Sequence, residues 1–415
     1  MVEKSGQAYV VVGAGLAGAK AAEALRGHGY GGRLVLVGDE VHRPYERPPL
    51  SKDYMLGKAE RDKAFVHPPG WYAEHDVELE LATSVTSIDR AEHRVVTAGG
   101  EPLGYDKLLL ATGASPRRLT APGADLAAVA YLRSLDDSDR IKAALRPDAR
   151  IAIIGGGWIG LEVAAAARSA GAQVTVLEGA ELPLLRVLGP EVATVFADLH
   201  RAHGVDLRCS ISVTGIEPDG DGAVVRLGDG AGVPADTVIV GVGVSPNTSL
   251  AEAAGLRVDN GVVVDEHLRS SDPDIFAAGD VANAYHPILH RALRVEHWAN
   301  ALHQPDVAAR SMLGMDASYD RLPYFFTDQY DLGMEYHGHA EPGDFDEVVL
   351  RGDLGARAFF AFWLRDGHVA AGLHVNQWDD ADTVKALVRA RQKVDVARLR
   401  DSAVPLTEHL GGDRA

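Results

Sequence analysis

One pattern occurs twice in this chain and limits its possible folds more than any other feature. It is an apolar run, then a glycine-rich turn, then an alanine-rich stretch with helical character. The first copy reads Tyr9-Val-Val-Val-Gly13-Ala-Gly15-Leu-Ala-Gly18, and the second Ile151-Ala-Ile-Ile-Gly155-Gly-Gly157-Trp-Ile-Gly160. Each is followed by a further apolar run, at 34–37 and at 173–177. β-Branched runs bounded by glycine read as buried strands. In such a strand–turn–helix, the first glycine permits the tight turn and the second lets backbone approach a pyrophosphate. The third lets helix and strand pack closely, and the helix N-terminus offers unpaired N–H groups. An acid ends each second run, Asp39 in one copy and Glu178 in the other. A carboxylate for ribose hydroxyls belongs about twenty residues after the turn. Two glycine turns without a ligand would need turn, helix and acid to coincide twice by chance.

The expected fold class is therefore α/β, with two Rossmann-like dinucleotide-binding domains of glutathione-reductase-like arrangement. The first repeat runs to Leu108-Leu-Leu-Ala111-Thr112-Gly113 and the second to Val238-Ile-Val-Gly-Val-Gly243. The first domain is expected over residues 1–113 and 245–322, interrupted by the second over 114–244. Residues 323–415 open with aromatic strands, contain Ala358-Phe-Phe-Ala-Phe-Trp363 and continue into a polar helical stretch at 380–391. They read as a C-terminal α+β domain.

Composition removes several functions. Formal net charge is −18, from 41 basic and 59 acidic residues, which argues against general nucleic-acid binding. The sequence holds 1 cysteine, Cys209, so no internal disulfide or dithiol relay exists. Cys209 is expected to be a small buried residue. No apolar run approaches the roughly 18 residues that cross a bilayer. The apolar start carries phosphate-binding glycines and no cleavage site, so an uncleaved cytoplasmic N-terminus is expected. No metal is expected: His286 and His290 have helical spacing, but Pro287 lies between them and no third ligand is evident. His200 and His203 are expected on a solvated helix face.

Two dinucleotide sites in one chain imply an electron relay between two bound cofactors. Glu178 would accept from ribose hydroxyls and repel a 2′-phosphate, and no arginine follows it, which favours NADH over NADPH. The flavin belongs in the first site because a distant segment, Asp274-Ile-Phe-Ala-Ala-Gly279-Asp280, returns to it. At a helix start Asp280 would hold a ribityl hydroxyl; the competing reading is an ordinary aspartate N-cap.

With these residues in view, the chain resembles the FAD-dependent ferredoxin reductases of bacterial oxygenase and cytochrome P450 systems. The resemblance rests on Gly13-Ala-Gly-Leu-Ala-Gly18, Val37-Gly-Asp39, Pro44-Tyr-Glu-Arg-Pro-Pro-Leu-Ser-Lys52 and Ala111-Thr-Gly113. It continues through Gly155-Gly-Gly-Trp-Ile-Gly-Leu-Glu162, Phe276-Ala-Ala-Gly-Asp280 and Pro323-Tyr-Phe-Phe-Thr-Asp-Gln-Tyr330. The proline-rich and aromatic stretches are more specific than either glycine motif. The resemblance implies that Ala17, Asp39, Lys52, Val85, Arg133, Asp280 and Trp298 contact FAD, with Arg47 in the same loop at a position that varies in such enzymes. It places Ile159, Gly243 and Glu162 at the nicotinamide cofactor and pairs Glu162 with Lys52 beside flavin N5. Without the resemblance, Glu162 reads as an acid favoured by a helix dipole, and Lys52 as a solvated lysine. Two departures stand out. Phe326 occupies a position often held by tryptophan, losing an indole N–H, and Pro305 is expected to end or kink a helix.

The implied reaction moves hydride from NADH to FAD, then single electrons to an iron–sulfur ferredoxin. An acidic ferredoxin needs basic docking groups. Lys385, Arg389, Arg391, Lys393, Arg398 and Arg400 lie in one stretch, and Arg310 resembles a partner-facing arginine; a solvated helix face is the alternative. Two other readings remain: an NADH-dependent reductase of rubredoxin or a small acceptor, and a flavoprotein whose main role is interaction.

Overall fold

The computed structural model of the chain describes residues 8–100 and 102–410. Its contacts divide these residues into two units. One comprises the described residues up to Pro49, with Glu60–Ser115 and Val244–Arg321; the other comprises Leu50–Ala59, Pro116–Gly243 and the chain from Leu322 onward. The ten-residue insert Leu50–Ala59 thus packs with the second unit although it interrupts the first in sequence.

The first unit is built on a five-stranded parallel sheet. Its strand order is Ile275–Ala277, Lys107–Leu110, Ala8–Val12, Arg33–Val37, Val77–Glu80. Strands covered on both faces need continuous apolar runs, which Tyr9–Val12 and Leu34–Val37 supply at 5% exposure or less. The helix Leu16–Gly27 turns its alanines to the sheet and packs against Trp298–Met312. That second helix runs through Pro305 instead of ending or breaking there. A proline forfeits one helical hydrogen bond. Here Gln304, Pro305 and Val307–Ala309 are buried, and the Gln304 carboxamide accepts from the Gly279 N–H at 2.8 Å, so tertiary packing offsets the loss.

The second unit repeats the design and adds a layer. Its parallel sheet has the order Asp206–Arg208, Gln173–Leu177, Arg150–Ile154, Thr237–Val240, Val129–Tyr131. The C-terminal region forms an antiparallel sheet ordered Tyr324–Gln329, Leu332–Gly338, His368–Val375, Ala358–Arg365, Glu347–Asp353. One face packs on the helix Leu185–Ala202, burying Phe196 and Leu199 against Trp363, Leu373 and Met334. The helix Ala381–Ala390 covers the other face through Val384, Leu387 and Val388. Arg351, itself buried, donates to the carbonyls of Leu399, Asp401, Ser402 and Val404, which ties residues 399–404 to the sheet. Among the described residues no helix is long and apolar enough to cross a membrane.

Two expectations need correction here. His200 does not lie on a solvated face: it is fully buried, and its Nε2 meets Gln329 Oε1 at 2.8 Å. Burial pushes its pKa down to about 4. His203, half-buried, stacks on Tyr330 at 3.7 Å. The helical polar face was legible, but not the sheet that covers it. Cys209 is half-buried rather than buried, and burial raises its thiol pKa, so it lacks the character of a nucleophile.

Candidate functional site

Each fingerprint forms a cradle at the C-terminal edge of its central strand. At Gly13 (φ +116°) a side chain would strike the Ala111 carbonyl, an added Cβ lying 2.1 Å from its oxygen; at Gly155 (φ +105°) the Gly241 carbonyl plays the same part at 2.4 Å. The third glycines, Gly18 and Gly160, approach the Gly13 and Gly155 carbonyls so closely that a Cβ would sit 2.0 and 2.1 Å away. By contrast, a Cβ on Gly15 would meet nothing within 4 Å, and one on Gly157 only the Gly241 oxygen at 3.9 Å. Space therefore opens where a pyrophosphate needs backbone contact. Gly15 and Gly157 are the N-caps of their helices and give no side-chain cap, and neither helix has an acid in its first turn. The leading N–H groups await an anion, and both cradles fit dinucleotides.

Around the first cradle, Ala17 lies in the opening helix against Gly279, whose hypothetical Cβ would be 3.0 Å from the alanine methyl. Asp280 is the second residue of the short helix Gly279–Val281; the N-cap position belongs to Ala278. The plain N-cap reading of Asp280 does not hold. Asp39 is exposed just beyond its strand, while Arg47 reaches Glu40 Oε1 at 3.2 Å. Thr112 and Asn247 exchange two hydrogen bonds of 2.8 Å, linking the two chain passages of this unit. Ala111 lines the turn and Gly113 (φ +68°) follows it. Val85 opens a small antiparallel strand, and Trp298 Nε1 donates to Glu46 Oε2 at 2.8 Å at the start of its helix.

Around the second cradle, Glu178 folds back on the turn. One carboxylate oxygen accepts from Gly156 N at 2.6 Å and the other from Ala180 N at 2.7 Å, leaving further lone pairs for ribose hydroxyls. Ile159 and Val242 remain 42% and 38% exposed, an apolar rim of the kind that a planar ring covers. Gly243 (φ +97°) closes the loop by accepting from Arg117 N. Arg133 precedes the helix Leu135–Ala144 and donates its N–H to Asp137, within a capping box led by Ser134.

The expected Lys52–Glu162 pair exists. Glu162 is 3% exposed, and its Oε1 lies 2.8 Å from Lys52 Nζ. An isolated buried carboxylate is costly, and this one is fully engaged: Ser51 Oγ donates at 2.6 Å and Thr327 Oγ1 at 2.7 Å. Gln329 Nε2 donates to Thr327 Oγ1 at 3.1 Å, and His200 completes the chain. If the Gln329 amide gives its N–H to Thr327, its oxygen must accept from His200 Nε2–H. The Lys52 ammonium also lies 5.1 Å from the Phe326 ring centre. Beside it, burial raises the Asp328 carboxyl pKa while Lys52 opposes the shift. Sequence reasoning missed Ser51, Thr327, Gln329 and His200. Ser51 and Thr327 stand inside the two quoted motifs, whereas no sequence signal marks His200.

The remaining candidates are scattered. Arg310 is half-buried and donates to the Asp316 carbonyl at 2.9 Å. Lys385 and Arg389 are exposed on the helix Ala381–Ala390. Arg398 and Arg400 pair with Glu408 and Glu347, at 2.5 and 3.0 Å. Both ring nitrogens of His286 bond to backbone, at Arg321 and Leu289.

Comparison with known proteins finds matches along nearly the whole chain. The model of the pyridine nucleotide-disulphide oxidoreductases matches residues 7–304, and a reductase C-terminal model matches residues 324–410. Putidaredoxin reductase of Pseudomonas putida is 40% identical over 412 residues, covering 98% of this chain and 97% of that protein. The ferredoxin–NAD(+) reductase component of the anthranilate 1,2-dioxygenase system of Burkholderia cepacia is 40% identical over 409 residues, covering 98% and 100%. The crystal structure of the covalent putidaredoxin reductase–putidaredoxin complex superposes with a TM-score of 0.94 at 39% identity, over 97% of this chain and 98% of that one.

Proposed function

The chain belongs to the pyridine nucleotide-disulphide oxidoreductase family, and on that premise we propose that it is an FAD-dependent NADH:ferredoxin reductase serving a cytochrome P450 or a dioxygenase. One relative is named as a putidaredoxin reductase and another as the ferredoxin–NAD(+) reductase component of a dioxygenase system, each matching along nearly the whole chain. The observation that carries the reading is the pair of cradles in a chain whose 1 cysteine is Cys209, so electrons leave the flavin without a thiol relay.

When bound, FAD supplies hydride acceptance from NADH and release of electrons one at a time. The protein's own groups bind and orient. Backbone N–H groups of the turn and helix start after Gly13 and Gly15 hold one pyrophosphate, and those after Gly155 and Gly157 hold the other, while Gly18 and Gly160 let each helix pack closely on its turn. Ala17, Asp39, Arg47, Val85, the 111–113 turn, Gly279, Asp280 and Trp298 serve FAD; Ile159, Glu178 and Gly243 serve NADH. Glu162 holds the Lys52 ammonium at a fixed point, and the Thr327–Gln329–His200 chain fixes the carboxylate in turn. Hydride transfer needs alignment more than a strong base.

The electron acceptor is a ferredoxin, which we take to be an acidic iron–sulfur protein docking at Arg310, Lys385 and Arg389. NADH oxidation by the yellow protein should accelerate with a [2Fe–2S] ferredoxin and proceed with ferricyanide. Charge reversal at Arg310 or Lys385 should lower the ferredoxin rate alone; equal loss of both activities would reject the docking assignment. A protein that takes up no flavin, or whose flavin ignores NADH, would reject the function itself.

A further inference from the structure

The C-terminal sheet carries a group of side chains for which the proposed electron transfer has no use. Glu335 and His337 alternate on one strand and so share a face, and His374 lies directly opposite Glu335 on the neighbouring strand. The three offer ligand atoms within 4.8 Å of one another. Glu335 Oε2 is 3.3 Å from His374 Nε2 and 3.6 Å from His337 Nε2. Both histidines are buried, at 0% and 6% exposure. Buried His337 Nε2 faces that carboxylate oxygen from beyond hydrogen-bond distance and has no hydrogen-bond partner among the described residues. Leaving such a nitrogen unsatisfied is costly unless something else fills the space between the three groups.

From this arrangement the geometry points to a site for a divalent transition metal of the zinc class, held by Glu335 Oε2, His337 Nε2 and His374 Nε2. Ligands at about 2.0–2.1 Å in a tetrahedron stand roughly 3.3–3.4 Å apart, close to both separations found here. Two imidazoles and one carboxylate suit a borderline cation and disfavour magnesium, which requires oxygen ligands in an octahedron. Tyr324 donates to Glu335 Oε1 at 2.8 Å, leaving Oε2 directed at the histidines and supplying the outer hydrogen bond that orients a metal-bound carboxylate. The Glu335 side chain is 26% exposed and gives the cation a path inward. Three protein ligands leave the fourth position for water. The strand register pairs Glu335 with Phe326, so the bound charge would lie next to the residue whose ring Lys52 faces.

Tag-free, EDTA-treated holoprotein titrated with Zn²⁺ in a calorimeter tests this. One saturable site per chain is expected, with a rise in melting temperature that Mg²⁺ does not reproduce. Glu335→Gln and His337→Ala should each weaken that site at least tenfold and remove the thermal shift. His339→Ala, in the more exposed His339–Glu341–Asp344 group, should leave it intact. NADH–ferricyanide activity reports whether each variant is folded. Should His337→Ala misfold, the isosteric Glu335→Gln decides alone. Failure of the parent protein to bind Zn²⁺, or unchanged binding by Glu335→Gln, would overturn the assignment.

Discussion

The two cradles look interchangeable in sequence, yet the strand registers show that they are built differently. Val12 pairs with Val37 in the first sheet, and Ile154 with Leu177 in the second. Gly38 therefore occupies the place of Glu178, and Asp39 falls one residue later. The difference propagates to the turn. A Cβ on Gly38 would lie 2.4 Å from the Ala14 methyl, whereas Gly156 lacks a side chain and receives the Glu178 carboxylate. The space between turn and second strand holds one side chain in each cradle, supplied from opposite sides. The first keeps its acid exposed beyond the strand; the second presses its acid against the turn, where it confronts any substituent on the ribose. The reading of Glu178 as the nucleotide-selecting acid therefore predicts that discrimination among nucleotides belongs mainly to the second cradle.

The comparison can be broken most severely at what the cradles share. Gly13→Ala should yield protein that retains no flavin, and Gly155→Ala protein that stays yellow but is reduced by NADH at least 100-fold less efficiently. Each forces a Cβ into a carbonyl at positive φ, at a cost on the order of 4 kcal/mol. Visible spectra and NADH titration read both, and equal flavin retention would contradict the division of labour.

Next comes the buried pair that Glu162, on the helix of the second cradle, forms with Lys52. Lys52→Met leaves Glu162 with two hydroxyl donors and no cation, so stability should fall by about 3 kcal/mol, read as the urea midpoint. Glu162→Gln in the same background should recover part of the loss. At the far end of that chain, His200 is held neutral with its pKa near 4, below the ordinary value of 6.5. The unfolded chain binds the extra proton between these values, so stability is full above about pH 6.5 and declines as pH falls toward 4. The decline amounts to about 3 kcal/mol, and His200→Gln should flatten it.

A smaller effect tests the exchange of side chains. Gly38→Ala should destabilise by about 2 kcal/mol, and Ala14→Gly added to it should restore at least half, a coupling that a double-mutant cycle isolates. The smallest is Glu178→Ala: NADH KM should rise about tenfold and the preference over NADPH narrow by a similar factor, about 1.4 kcal/mol. An Asp39→Ala variant should leave that preference unchanged.

What the sequence determined by itself was whatever depends on local chemistry. Glycine spacing within apolar runs specified both strand–turn–helix units, because only glycine fits a backbone packed against a neighbouring carbonyl at Gly13 and Gly155. The Ser51–Lys52 and 323–330 motifs flagged residues that meet at Glu162. Only the tertiary structure decided features that require two distant segments to touch. His200 read as a surface residue until the C-terminal sheet covered it, and Pro305 read as the end or kink of a helix until packing carried the helix through it. Asp39 and Glu178 looked equivalent because counting along a loop cannot reveal a one-residue offset, whereas hydrogen bonds between strands fix it. The Glu335, His337 and His374 cluster was invisible for the same reason: two residues come from one strand and the third from another, joined by register and not by spacing.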